Sequence, residues 1–299
     1  MKKITKAVIP AAGFGTRMLP QTKAVPKEML PIVDKPSIQY IIEECVKSGI
    51  TDILIITSRG KETIENHFDR SPELEKALDK PGKEVYLEKV QKISELANIY
   101  YLRQKEAKGL GHAILCAKEF TGDEPFVVLY PDDVIIQNSE GDIEVTKQLI
   151  EAYKLHGKSC VGIKDVPASD IHKYSSLKIE KMHDNVYNVT DMIEKPARGQ
   201  EYSLYSILGR CLLTPDIYPI LENTQPGAGG EIQLTDAMKV LALQGKMMGV
   251  DFVGKRYDMG NKLGFLKANI ECALKDEEIS EQFKEYLAEF FFDKLNLSK

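Results

Sequence analysis

The sequence has no apolar stretch of the roughly 18 to 20 residues that a membrane-crossing helix needs, and Met1-Lys2-Lys3 leads straight into strand-like Ala7-Val8-Ile9. The expectation is a cytoplasmic protein without a membrane partner. Cysteine is scarce: Cys45, Cys116, Cys160, Cys211 and Cys272 are far apart, odd in number, and set mostly among apolar neighbours. They read as reduced, buried thiols. No C-x-x-C pair is present, and His67, His112, His156, His172 and His183 show neither H-x-x-x-H nor H-E-x-x-H spacing, which argues against a zinc site. Nor is there a strong excess of one charge. With 40 Lys+Arg against 45 Asp+Glu the net charge is -5, so no overall field gathers nucleic acid or an anionic membrane. An anionic substrate must instead be held by cations placed locally.

What is present is an ordinary globular composition, 43% hydrophobic and 28% charged, over 299 residues. Strand-like runs alternate with amphipathic segments, the pattern of an α/β sheet with helices on its faces. Strands are expected at Lys6 to Ile9, Asp52 to Thr57, Ile99 to Arg103, Phe126 to Tyr130, Ser159 to Ile163 and Ser206 to Leu213. Helices are expected at Ser37 to Ser48, with Ile38, Ile41, Ile42 and Cys45 on one side, at about Leu110 to Lys118, and at Ile143 to Leu155. No Pro/Gly/Ser-rich linker and no internal repeat divides the chain, so 1–299 reads as one domain. The charged, periodic segment 71–96 reads as a helical insertion beside the sheet. Within a C-terminal helical segment, about 260–299, Ile279, Phe283, Tyr286, Leu287, Phe290, Phe291 and Leu295 fall at helical spacing, an apolar stripe available to the body or to another subunit.

The first strand ends in Pro10-Ala11-Ala12-Gly13-Phe14-Gly15-Thr16-Arg17. Small residues followed by a cation, where a strand gives way to a loop, let backbone N–H groups approach a phosphate or a flat base. Two known phosphate loops are nonetheless missing. Met18 stands where a dinucleotide fingerprint needs its third glycine, and there is no Gly-Lys-Ser/Thr of a Walker A loop. This disfavours a dinucleotide-dependent oxidoreductase. Asp34 lies between Pro31 and Pro36 and reads as a turn residue rather than a ribose-binding acid. Farther along, Pro26-Lys27-Glu28-Met29-Leu30-Pro31 adds a second cation, Lys27, beside Arg17.

With these N-terminal motifs belong Arg103-Gln104, Lys108-Gly109-Leu110-Gly111-His112-Ala113, Pro131-Asp132-Asp133, Glu194-Lys195-Pro196, the run Gly227 to Ala237, and Tyr257-Asp258-Met259-Gly260. Together they resemble the sugar nucleotidyltransferases, and among them the bacterial UTP:glucose-1-phosphate uridylyltransferases, over almost the whole chain. The resemblance implies a Rossmann-like three-layer α/β/α fold with a mixed, mostly parallel sheet. It also implies a magnesium-dependent reaction of UTP with glucose 1-phosphate that gives UDP-glucose, for cell-envelope or exopolysaccharide synthesis, by a homodimer or homotetramer. The alternatives left open are a weakly active or regulatory paralogue and a different hexose 1-phosphate.

By the same resemblance, Ala11, Ala12, Gly13, Gly15 and Thr16 cradle the nucleotide, Arg17 and Lys27 hold the triphosphate, and Gln104 and Gly109 read the uracil. Asp132 is the expected Mg²⁺ ligand next to the nucleotide, with Asp258 second; Glu194 accepts sugar hydroxyls, unless it simply pairs with its neighbour, and Lys195 grips the sugar phosphate. Hard carboxylate oxygens suit Mg²⁺ shared with substrate phosphates. A phosphate nucleophile ionises near pKa 6, so the absence of a Ser-His-Asp or Cys-His set does not count against an enzyme. Asp133 reads either as a site acid or as a turn cap. The run from Glu231 through Gln233, Thr235 and Asp236 reads as support at a helix start. Two departures fall in the sugar region: Ser175 where relatives carry glycine, and Leu204 where they carry asparagine.

Overall fold

In the computed structural model, which describes residues 2–139 and 141–295, nine strands form one mixed sheet. In chain order they are β1 (Lys6–Pro10), β2 (Asp52–Thr57), β3 (Asn98–Arg103), β4 (Phe126–Leu129), β5 (Ser159–Asp165), β6 (Ser175–His183), β7 (Val186–Glu194), β8 (Tyr205–Leu213) and β9 (Met247–Asp251). Their spatial order is β3-β2-β1-β4-β8-β5-β9-β7-β6. The first four are mutually parallel, β8 runs against both its neighbours, β5 and β9 are parallel, and β7 is antiparallel to β9 and β6. Most strands therefore point one way, as the resemblance implies.

Side-chain alternation explains why both faces of the sheet are covered. Along β1, Ala7 and Ile9 enter one apolar cluster with Ile38, Ile41, Ile42 and Cys45 of helix Ser37–Lys47. Val8 enters the other, with Ile114, Val128 and the buried face of helix Leu234–Leu243. A strand buried on both faces reads as a continuous apolar run, and β1 and β2 do. The cysteines are all free; Cys45, Cys160 and Cys211 are buried and the other two half-buried.

The expected strands and helices are found with shifts of a residue or two at their ends. The helix expected to run to Lys118 instead breaks at Ala117, giving Leu110–Cys116 and Lys118–Thr121. Segment 71–96 holds helices Pro72–Leu78 and Glu84–Ser94. Pro31–Ile32 and Lys35–Pro36 form a minimal hairpin, with Val33 at φ 58 and Asp34 in its turn. The hairpin β6–β7 and strand β9 were not among the expected strands, although Val189 to Ile193 of β7 and Met247 to Val250 of β9 are largely apolar runs. β6 carries Lys178, Glu180 and Lys181 at a sheet edge, where one face meets water, so its apolar content is too low to stand out.

A second pair of strands, Asp133–Ile136 with Lys255–Asp258, runs antiparallel beside the main sheet and sets Asp258 across from Asp133. This pairing joins two motifs more than a hundred residues apart in sequence. C-terminal helices occupy Lys262–Ala273 and Ser280–Leu295. Among the described residues no helix is long and apolar enough to cross a membrane.

Candidate active site

A cleft of about 560 Å³ opens at the C-terminal end of β4, and Arg17, Asp132, Ser175, Glu194, Lys195 and Asp258 all line it. Ligand crevices of open α/β sheets lie at this edge. The acids are brought together by backbone geometry. Asp132 follows β4, and its carbonyl accepts the Met259 N–H at 2.7 Å, which locks the 257–260 turn against it. A methyl group placed on Gly260 would lie 2.7 Å from Arg17 Nη2, 3.0 Å from Asp258 Oδ1 and 3.1 Å from Asp132 Oδ2, so the two carboxylates and the guanidinium converge beside a backbone position that has space only for glycine. Gly260 N–H donates to Asp258 Oδ1 at 2.8 Å.

Cations surround these acids. Lys27 Nζ lies 2.7 Å from Asp132 Oδ2, Arg17 lies 3.5 Å from Asp132 and 3.9 Å from Asp258, and Arg256 reaches 4.0 Å from Asp258. Burial works against the charge on Asp132, but Lys27 and Arg17 outweigh it and hold the carboxyl below its ordinary range. For Lys27 burial again opposes the charge, while Asp132 and Glu28 raise the amine above its usual value. Glu28 is itself buried, 2.8 Å from Lys61 Nζ, and fixes the backbone that carries Lys27.

Asp133 is not a turn cap. It is buried at the start of strand Asp133–Ile136, where Arg256 Nε donates to Oδ1 at 2.5 Å. Burial pushes its carboxyl up; Arg256 opposes this, and neighbouring Asp132 and Asp258 add to it. Arg256 also sits 5.3 Å from the centre of the Tyr174 ring. Neither Arg256 nor Tyr174 stood out in the sequence, although Arg256 directly precedes the Tyr257-Asp258 motif and that adjacency was the available signal.

Behind the acids, Arg210 donates from Nη2 to Glu44 Oε2 at 2.6 Å and from Nε to Glu44 Oε1 at 2.9 Å, both side chains being buried. Arg210 Nη1 further donates to the Asp133 carbonyl at 2.8 Å. Burial disfavours the Glu44 charge, yet Arg210 and the two bonds from Thr146 bring its pKa below the ordinary value. Nothing along the chain signals this pair, because its members lie 166 residues apart.

The small residues of the loop after β1 differ in their surroundings. Gly13 has open space beside it, and Gly15 stands next to Lys27, where a methyl group would come within 3.1 Å of Lys27 Cβ. Ala12 is half-buried and Thr16 exposed. Ala11, by contrast, is fully buried, and its N–H is already donated to the Ile56 carbonyl at 2.8 Å, so that N–H is not free for a phosphate. Gln104 lies off the cleft, its Nε2 donating to the Gly109 carbonyl at 3.2 Å and to His112 Nδ1 at 2.9 Å. This makes His112 an acceptor at Nδ1 and links Gln104, Gly109 and His112 in one unit. Gly109 has φ 94, and a methyl there would come 2.7 Å from Glu231 Cβ and 2.8 Å from the Ile232 carbonyl. The run after Gly227 thus packs onto the Gly109 turn, as structural support requires.

Where the end of β7 lines the cleft, Glu194 does not pair with Lys195. Its Oε2 accepts a 2.9 Å bond from Thr235 Oγ1. Lys195, exposed and at φ 46, donates its N–H to the Tyr174 carbonyl at 2.9 Å. Ser175 stands opposite Glu194 in the β6–β7 register, but its Oγ accepts from Ile207 N–H at 3.1 Å and lies 3.2 Å from Ser206 Oγ. The hydroxyl is held by β8. Leu204 does not line the cleft; it is 40% exposed and its carbonyl accepts from Val166 N–H.

Residues 6–274 match the Nucleotidyl transferase family. The chain belongs to that family. Among curated nucleotidyltransferases it is 52% identical over 287 residues, 96% of this chain and 98% of the other, to the UTP–glucose-1-phosphate uridylyltransferase of Staphylococcus epidermidis. It is 50% identical over 287 residues, again 96% of this chain and 97% of the relative, to the uridylyltransferase of that name in Bacillus subtilis. A solved UDP-glucose pyrophosphorylase complexed with UDP-glucose superposes with a TM-score of 0.84 at 41% identity, covering 92% of this chain and all (100%) of that one. The UTP-bound enzyme from Acinetobacter baumannii superposes with a TM-score of 0.85 at 33% identity, covering 96% and 99%. The nucleotidyltransferase fold and the family resemblance are thereby shown.

Proposed function

We propose that this nucleotidyltransferase joins UTP to α-D-glucose 1-phosphate, giving UDP-glucose and pyrophosphate by in-line displacement at the α-phosphorus. The names of the full-length relatives support the substrates, and the observation that carries the chemistry is the convergence of Asp132 and Asp258 among Lys27, Arg17 and Arg256. Two polyanions must meet here. Unit like charges about 4 Å apart repel by roughly 4 kcal/mol at an effective dielectric near 20, so a site for this reaction needs several cations.

In this reading Arg17 and Lys27 bind the triphosphate, and Gly13, Gly15 and Thr16 bring the loop up to it. The linked amides of Gln104 and Gly109 present donor and acceptor groups to the uracil edge. Lys195, exposed at the far wall of the cleft, takes the sugar phosphate, and Glu194 accepts a sugar hydroxyl with its remaining oxygen. Hard carboxylate oxygens suit Mg²⁺ held by one or two acids and completed by substrate phosphates, so Asp132 and Asp258 are the residues that would hold it. When bound, the ion supplies neutralisation of charge on the phosphates. The protein's own contribution is to orient the sugar phosphate in line with the leaving pyrophosphate and to keep fixed dipoles and cations around both. The phosphate nucleophile is already anionic, so no side chain has to remove a proton. A reaction on a nucleotide pool fits a cytoplasmic location, and the exposed aromatic face of helix Ser280–Leu295 fits assembly as a homodimer or homotetramer.

The test is pyrophosphate release across a panel of nucleoside triphosphates and sugar 1-phosphates, with and without EDTA. Release is expected only with UTP, glucose 1-phosphate and Mg²⁺ together. Release that needs no sugar 1-phosphate, or that survives EDTA, refutes the reading.

A further inference from the structure

Along the chain the histidines show neither zinc spacing, but the fold brings two of them together. His156 ends helix Val145–His156, and His183, 27 residues on, ends β6. Their Nε2 atoms face each other at 2.9 Å, with ring centres 5.1 Å apart and planes 30° from parallel. Both rings are half-buried, and neither lines the active-site cleft. Each is carried on backbone that is held in place. After His156 the chain turns at Gly157, φ 68, whose N–H donates to the Tyr153 carbonyl at 2.7 Å, while Ala152 and Tyr153 are buried in the core. After His183 comes the hairpin turn, where Asn185 is bonded twice to Asp251 of β9: its Nδ2 donates to the Asp251 carbonyl at 3.0 Å, and its own carbonyl accepts the Asp251 N–H at 2.8 Å.

Two facing imidazole nitrogens can share one proton or give both lone pairs to one cation. The surroundings suit a cation. Asp184 Oδ2 lies 3.5 Å from His183 Nδ1, and a carboxylate there favours a proton on Nδ1, which turns the Nε2 lone pair towards His156. A carboxylate behind the imidazole is the arrangement that orients a metal-bound histidine and strengthens it as a ligand. The spacing fits as well. An ion about 2.0 to 2.1 Å from each nitrogen at a tetrahedral angle needs them roughly 3.3 Å apart, so the rings have to open by about 0.4 Å. A hollow of about 490 Å³, whose wall includes Glu151, His183 and Asp184, gives an ion a way in from solvent.

From this geometry we propose that His156 and His183 form a site for a divalent ion of the zinc class, Zn²⁺, Ni²⁺ or Cu²⁺, which ties the end of helix Val145–His156 to the hairpin β6–β7. The ion takes the place of the shared proton, which is released to solvent. Imidazole nitrogen suits these ions, whereas Mg²⁺ prefers oxygen. Among the described residues no third His, Cys, Asp or Glu joins the pair, so water completes the coordination and the ion exchanges readily. The five cysteines offer little competition, because burial pushes every one of these thiols up and away from the thiolate that binds metal. The ion's work is structural. It sits at the turn of a hairpin whose open end, Ser175 with Glu194, lines the cleft, and it takes no part in the proposed reaction.

The experiment titrates Zn²⁺ by calorimetry into the full chain, first stripped of metal with EDTA and then freed of EDTA, for wild type, His156→Gln, His183→Gln and Asp184→Asn. Wild type should bind one Zn²⁺ at the pair, and either glutamine variant should lose that binding. Asp184→Asn should weaken it about tenfold or more, the usual effect of removing a carboxylate behind a ligating histidine. Saturating Zn²⁺ should raise the wild-type Tm by several degrees and leave the Tm of both glutamine variants unmoved. Where a glutamine variant fails to fold, the electron paramagnetic resonance spectrum of Cu²⁺ on wild type decides: coupling to two imidazole nitrogens supports the site, and coupling to fewer overturns it. A Zn²⁺ isotherm unchanged in both glutamine variants places the ion elsewhere and overturns the proposal. So does a wild type that binds none, which leaves the two rings joined by a hydrogen bond alone.

Discussion

Lys27 Nζ donates a 2.7 Å hydrogen bond to Asp132 Oδ2, so a cation placed by the sequence at the triphosphate and an acid placed at the metal are direct partners. In the proposed reaction the same carboxylate serves both. Lys27 therefore tunes the acid: it holds Asp132 ionised and oriented before any divalent ion is bound. Removing the acid's charge should disturb both functions at once.

Asp132→Asn keeps the shape of the side chain while removing that charge. Turnover should fall by roughly 100-fold or more, the size of effect seen when a charge-stabilising group is lost from such a site, and the response to Mg²⁺ should flatten. A Mg²⁺ titration of initial rates checks this. Near-normal activity would show that another acid does the work.

Gln104→Glu places a carboxylate against the Gly109 carbonyl and removes the donor that Gly109 and His112 share. UTP KM should rise about tenfold or more while the KM for glucose 1-phosphate stays within about twofold, as expected when a donor becomes an anion beside a nucleotide. Steady-state kinetics in both substrates separates the two effects. Unchanged UTP affinity would place the base elsewhere.

Glu44→Gln leaves Arg210 buried without its counter-ion and should cost about 3 to 5 kcal/mol of stability. The pH dependence has a definite sign. The folded pKa of Glu44 is depressed, so its contribution is present above the ordinary carboxylate range near pH 4.3 and is lost as pH falls through the lower folded value. Wild type should thus lose Tm steeply on acidification below that range. The variant should start lower at neutral pH and show a shallower acid slope, measurable by thermal melts from pH 7 to pH 3.

Ser175→Gly removes a hydroxyl that accepts from Ile207 N–H in a buried position. A buried donor left without a partner costs about 1 to 3 kcal/mol, so Tm should fall by several degrees. Affinity for glucose 1-phosphate should not improve, since the hydroxyl is turned to β8 rather than to the cleft. A lower KM at unchanged Tm would show that Ser175 meets the sugar after all.

Truncation after Lys275 removes a helix whose Tyr286, Phe290 and Phe291 are 57%, 40% and 43% exposed in the single chain. On the proposed reading these side chains meet a second copy of the chain. Light scattering should show a dimer or tetramer for the full chain and a smaller species after truncation. An unchanged assembly state would move the interface elsewhere. The side chain of Leu295, the last member of the stripe read from the sequence, and residues 296–299 of the C-terminal segment lie outside the described residues.

The sequence by itself determined the α/β class, the buried strands around Val8 and Leu54, and the individual motifs at Arg17, Lys27, Asp132, Lys195 and Asp258. These are local properties: an apolar run of the right length, a small-residue loop after a strand, an acid at a strand's end. Edge strands such as β6, with charges facing water, carry no such signature. The tertiary structure alone decided which groups meet. Glu44 with Arg210, Asp133 with Arg256 and Thr235 with Glu194 are pairs brought together across 166, 123 and 41 residues by strand order and register. Spacing along the chain does not encode such distances, because the partners belong to different strands and helices whose neighbours are chosen by burial of the whole sheet. The same is true of Ala11, whose N–H the sequence left open and strand pairing had already used.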